Sequence, residues 1–175
     1  MKNFQKAIVA IILFNLLGCT NPSIVNINKE EARAISADAK IFIPRFEGKP
    51  DFVEESTDYF ISQLESGISN TVIQGSSLRN EPSDISNGGN LTNIDAALRA
   101  ANANGADILI MGKVTSHSTA GTLNGFSTIR LYNAHTGKRI ANFHRPSGLL
   151  FAYSEHQCVM AAVKETSKDT IKLFE

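Results

Sequence analysis

The apolar positions of this 175-residue chain change period along its length, and each period predicts a different element. Residues 39–44 read Ala-Lys-Ile-Phe-Ile-Pro, a β-branched and aromatic run stopped by a proline that cannot continue a central strand. After the turn at Gly48-Lys49-Pro50, Val53, Tyr59, Phe60, Leu64 and Ile68 recur near helical spacing. Glu54, Glu55, Asp58 and Glu65 stand between them, so the pattern predicts an amphipathic helix with acids toward its positive end. A short strand is expected over 70–73, then a long Ser-, Asn-, Gly- and Pro-rich loop over 75–90. Thr92 with Asp95 resembles a capping box, and Ile94, Ala97, Leu98 and Ala101 share one face of the helix it would open. Gly105 ends that helix as a left-handed cap. Ile108-Leu109-Ile110-Met111 is continuously apolar, as a strand at the sheet centre with both faces covered should be. A turn over 121–125, an alternating strand over 126–132, a tight turn at His135-Thr136-Gly137-Lys138 and a returning strand over 139–143 complete the sheet. Ser154 with Gln157 caps a last helix striped by Val159, Ala162, Val163, Thr166, Thr170 and Leu173. The order is β-α-β-α-β-β-β-α, which predicts an α/β (α+β) domain built on a single mixed sheet packed by helices.

The first residues follow no such pattern. Lys2 and Lys6 precede an eleven-residue run over 7–17 that is apolar except for Asn15. A membrane-spanning helix needs about 20 apolar residues, so this length predicts the core of a cleaved signal peptide over 1–18. The run ends Leu16-Leu17-Gly18-Cys19, which resembles the lipobox of bacterial lipoproteins. The resemblance implies recognition of Leu16, Leu17 and Gly18 by a signal peptidase and lipid attachment at Cys19. Thr20, where an aspartate would retain such a protein at the inner membrane, implies sorting to the outer membrane, with the chain facing the periplasm. Residues 19–38, with Asn, Pro, Ser and a Lys29-Glu30-Glu31 run, read as a lipidated tether with helical turns near 30–35, leaving 39–175 as the periplasmic domain.

Charge excludes some partners. Lys plus Arg and Asp plus Glu both number 17, and losing Lys2 and Lys6 with the leader would make the chain mildly acidic. Neither state supplies the basic excess that nucleic-acid binding needs. The two cysteines, Cys19 and Cys158, cannot form a four-cysteine zinc site, and acylation of Cys19 would leave no internal disulfide. Cys158, on the apolar side of the last helix, is expected to be a buried small hydrophobe.

The chemistry-bearing residues do not assemble into a motif. His117, His135, His144 and His156 occupy different elements, and His156 and Cys158 would point roughly 200° apart on a helix, so no metal site is expected. Gly137-Lys138 resembles the end of a phosphate loop, but Tyr132 stands where its leading glycine is required. No serine sits in a Gly-x-Ser-x-Gly elbow. The sequence therefore predicts no catalytic residues and no cofactor, and the loops over 75–90 and 116–124 are the expected adaptable surfaces.

Ala106-Asp107-Ile108-Leu109-Ile110-Met111-Gly112-Lys113-Val114, the later Arg130-Leu131-Tyr132-Asn133-Ala134-His135-Thr136-Gly137-Lys138-Arg139-Ile140 and the opening segment over 41–46 resemble motifs of one family. It comprises periplasmic α/β lipoproteins related to the curli secretion channel subunit, the lipoprotein activator of a penicillin-binding protein and the amino-terminal domain of the Tol-Pal translocation protein. The resemblance implies a non-enzymatic accessory, assembly or docking factor for an envelope machine, with an envelope protein as partner. A self-assembling ring subunit of a curli-type complex, a homo-oligomer, is the alternative. The stretch over 116–131 is too polar and glycine-rich for a lipid-facing hairpin, and no room is expected for membrane strands of 9 to 11 residues.

Overall fold

A computed structural model describes residues 23–76, 94–119, 122–148 and 154–175. Within them the chain forms β1 (Ile24–Ile27), α1 (Lys29–Arg33), β2 (Ile41–Ile43), β3 (Glu47–Gly48), α2 (Pro50–Gly67) and β4 (Val72–Gln74). It continues through α3 (Ile94–Ala103), β5 (Ile108–Thr119), β6 (Thr122–Asn133), β7 (Arg139–Pro146) and α4 (Glu155–Phe174). The strands form one mixed sheet in the order β1-β7-β6-β5-β2-β4, with β3 pairing β5 beside the end of β2. β1, β5, β6 and β7 are mutually antiparallel neighbours, whereas β2, β3 and β4 run parallel to theirs. This is the expected α+β class.

The expectations for the 19–38 tether, the 116–124 loop and the room for long strands are corrected. The segment over 19–38 is not a tether throughout, because Ile24–Ile27 pairs with β7 and places Ile24 opposite His144. The helical turns foreseen within it form as α1, where Asn28 Oδ1 accepts the Glu30 and Glu31 amides. The loop expected over 116–124 belongs instead to a hairpin of two 12-residue strands, since the β5–β6 register continues to Thr119 opposite Thr122. Room for long strands therefore exists, and their tip remains polar, carrying Ser116, His117, Ser118 and Asn124.

Burial follows the strand alternation. Ile108, Ile110, Ile129, Leu131 and Phe143 face α2 and α4 and meet Phe60, Leu64, Val159 and Val163 in the main core. Phe42, Leu109 and Tyr132 point to the other side, where Ala97 and Ala101 of α3 cover them. Ile108 to Ile110 are thus buried on both faces, as their continuous apolarity predicts. Two glycines set how closely the layers approach. The Phe46 ring, 5.2 Å from that of Phe60, lies where a Gly112 side chain would project, 2.3 Å from an ideal Cβ. Gly125 lies under the backbone of Cys158 and Val159, so α4 packs directly onto β6. Farther along that contact, Ser127 and Thr166 hydroxyls share a buried 2.8 Å hydrogen bond.

Helix and turn ends match their residues. Pro50 starts α2 at a position that needs no amide donor, and Ser154 accepts the Gln157 amide to cap α4. In the β6–β7 turn, Asn133 Oδ1 accepts the His135 and Thr136 amides, and Gly137 supplies the positive φ of 70°. Thr92 and most of the loop over 75–90 lie outside the described residues. Among those described, no helix is long and apolar enough to cross a membrane.

Candidate functional site

The sheet is covered unequally, which creates the most distinctive surface of the domain. Two long helices lie on one face, while the 10-residue α3 shields the other only around Phe42, Leu109 and Tyr132. Toward the β5–β6 hairpin tip that second face is uncovered among the described residues. Phe126 is flanked there by two imidazoles from neighbouring strands. His144 stacks on its ring at 5.6 Å and 10°, and His117 lies tilted at 5.7 Å. Thr128 Oγ1, 2.9 Å from His144 Nδ1, fixes that ring. Lys113, opposite Thr128, and Arg130, opposite Met111, are exposed on the same face. Asn142, the β7 partner of Arg130, has a buried Oδ1 that accepts no hydrogen bond among the described residues.

Electrostatically the strands of this face carry charge of one sign. β1, β5, β6 and β7 contain no aspartate or glutamate at all, whereas they carry Lys113, Arg130, Arg139 and Arg145. Arg145 is neutralised on the helix-covered side, where its Nε and an Nη donate to Asp169 at 2.6 and 3.0 Å and the Asp169 carboxylate raises its pKa. Such a surface, aromatic and cationic with hydroxyl and amide neighbours, can stack, donate hydrogen bonds and attract negative charge. Among the described residues it brings together no acid–base pair and no activated nucleophile.

A second feature is an open depression of about 430 Å³ between α1 and the starts of β2 and β5. Asp107 lies at its wall, where Oδ2 accepts the Lys40 amide at 2.9 Å and Oδ1 lies 3.1 Å from His135 Nε2. Chiefly the Lys40 amide, and then His135, holds the Asp107 carboxyl below its usual range. Glu31 reaches Lys138 Nζ at 3.1 Å and accepts from Asn133 Nδ2 at 3.5 Å. These groups satisfy one another and clasp α1 to the β6–β7 turn. Open α/β sheets bind ligands beyond the carboxyl ends of their parallel strands, and this depression lies at the amino ends of β2 and β5.

The remaining sequence candidates are dispersed. His156 Nε2 contacts Glu55 at 2.6 Å on the α2–α4 side, away from the open face that holds His117 and His144. No group of three or more metal-ligating side chains occurs among the described residues. Cys158 is buried, its Sγ 3.5 Å from the Leu123 carbonyl oxygen. Leu16, Leu17, Gly18 and Cys19 lie outside the described residues. Sequence reasoning missed the aromatic and cationic face because its members come from three strands, although the alternation of Phe126, Thr128 and Arg130 carries half of it.

No protein-family model and no curated protein matches the sequence. Solved structures are nevertheless similar in fold. A single-substitution form of the PelC dodecamer from Paraburkholderia phytofirmans matches with a TM-score of 0.57 at 11% identity, over 86% of this chain and 98% of that one. The LpoB C-terminal domain from Salmonella enterica gives 0.46 at 14% identity, over 67% and 88% of the two chains. Lipoprotein GNA1162 from Neisseria meningitidis gives 0.43 at 13%, over 77% and 96%. Identities this low establish a shared fold with PelC and leave the task to be argued from the surface.

Proposed function

We propose that this chain is a lipid-anchored lipoprotein of the outer membrane, facing the periplasm, whose domain acts without catalysis by docking another envelope protein. The open sheet face carries this reading. Lys113, Arg130, His117 and Phe126 stand exposed or half-buried on a face whose strands contribute no acid. Arginine and aromatic side chains are enriched at protein interfaces, and a surface of one sign steers an oppositely charged partner. The partner is therefore a protein with an acidic contact surface, and the docked machine belongs to secretion, appendage assembly or wall synthesis. The lipobox-like Leu16-Leu17-Gly18-Cys19 supplies the address, since several acyl chains at about 0.8 kcal/mol per buried methylene make attachment durable.

A ring of identical chains is the second reading, favoured by the similarity in fold to PelC, which forms a dodecamer. Mass measurement of the detergent-extracted protein separates the two. A single chain is expected for the docking module; a closed multiple of chains would replace it with the ring.

A further inference from the structure

The chain exposes few large apolar side chains among its described residues, and they are not scattered. Of the four, Ile24, Val25 and Ile27 belong to β1, at 48%, 50% and 41% exposure, and Ile94 to α3. β1 is an edge strand that pairs only with β7 among the described residues. Its register places Ile24 beside His144 on the open face, and Val25 and Ile27 beside Phe143 and Ala141 on the other. Both sides of the edge are therefore apolar. Soluble edge strands are protected by charges, prolines, bulges or brevity, and Ile24-Val25-Asn26-Ile27 has only its four-residue length, with three of the four side chains large, apolar and exposed. A surface of this kind needs a cover.

Chain length identifies it. Only Thr20, Asn21, Pro22 and Ser23 separate Cys19 from Ile24, five Cα steps that reach at most about 18 Å in any conformation. An acyl chain on Cys19 thus holds β1 within about 18 Å of the leaflet that contains the lipid, nearer than any other strand in the sheet order can be held. We propose that β1 is the membrane-facing edge of the domain, with Ile24, Val25 and Ile27 seated at the boundary between headgroups and acyl chains. The inference rests on the acylation of Cys19 argued above. The six strands in lateral order then rise from the surface by five spacings, about 24 Å, to β4. The edge of β4 points into the periplasm, and the cationic face stands between these two edges.

The chain contains no tryptophan, so a single introduced one reports its own surroundings. Val25→Trp and, as an independent second reporter, Ile24→Trp are made in the full chain and compared with Gln74→Trp at the exposed end of β4. The membrane-extracted proteins are reconstituted into phosphatidylcholine vesicles with or without brominated acyl chains, and acylation is confirmed by intact mass. Emission of both β1 reporters is expected to fall at least twofold with the brominated lipid and to shift to the blue, while Gln74→Trp is unaffected. Acylated protein that floats with the vesicles but whose β1 reporters are unquenched overturns the seating and leaves the anchor intact. Blue-shifted, unquenched emission from a species of twice the mass overturns it in favour of a second copy covering β1. A mass without acyl chains overturns the anchored reading and this inference together.

Discussion

Replacing Gly125 by alanine tests the packing account at its tightest point. An ideal Cβ there falls 2.3 Å from the Cys158 carbonyl carbon, 2.4 Å from the Val159 nitrogen and 2.6 Å from the Cys158 oxygen. All three are helix backbone, so no rotamer change relieves them. Ordinary carbon contacts lie at about 3.5–4.0 Å, so α4 must withdraw from β6 by about 1 Å. A gap of that size forfeits a quarter to a half of each contact it opens, and Val159, Ala162 and Val163 are all fully buried there. Overpacking of this kind costs about 1–3 kcal/mol. Alanine is intrinsically better than glycine within a strand by about 0.5–1 kcal/mol, which offsets part of the clash and leaves a net loss of about 1 kcal/mol. Gly105→Ala is the control. Gly105 has a φ of 65° with nothing within 4 Å, so only the left-handed backbone penalty of about 1–2 kcal/mol applies. Urea unfolding of the purified chains, followed by circular dichroism, measures both. A Gly125→Ala protein as stable as the parent would refute the direct seating of α4 on β6.

Other consequences follow from single contacts. Arg145→Ala leaves the half-buried Asp169 carboxylate without its paired donors and should cost about 1.5–3 kcal/mol in thermal or urea unfolding, with Arg145→Lys only partly restoring the loss. Asp107 has a folded pKa below its ordinary 3.8, so its contribution is present at neutral pH and is lost as pH falls through that value toward the folded one. Asp107→Asn should therefore flatten the acid limb of a stability–pH profile, and an unchanged limb would contradict the Lys40 and His135 contacts. Cys19→Ala should move the protein from the membrane fraction to the soluble periplasm with an unchanged unfolding midpoint, because Cys19 precedes the first strand; retention on the membrane would show another anchor.

Much of the fold was legible because its signals are local. The Ile108 to Met111 run, the 135–138 turn and the Ser154 cap each announce an element within a few residues, and each forms. β1 was not legible, because four residues between Ser23 and Asn28 are too few to show a period and their pairing partners lie near the other end of the chain. The outer halves of β5 and β6 are rich in Ser, Thr, His, Asn and Gly, a composition that reads as loop. They are strands because the register set by the buried Ile110–Leu131 pair continues outward through consecutive residue pairs. The site was less legible still. Lys113 meets Thr128, and Phe126 meets His144, only after three strands have found their register.

The central claim is that the cationic sheet face of a lipid-anchored chain docks an acidic envelope protein. In-cell crosslinking of the full chain, with adducts identified by mass spectrometry, tests it most directly when the parent is compared with a Lys113→Glu, Arg130→Glu double variant of equal abundance and membrane attachment. One heterologous envelope-protein adduct is expected from the parent, lost or strongly reduced in the variant. A ladder of identical chains, no protein adduct, or an adduct indifferent to the charge reversal would contradict it.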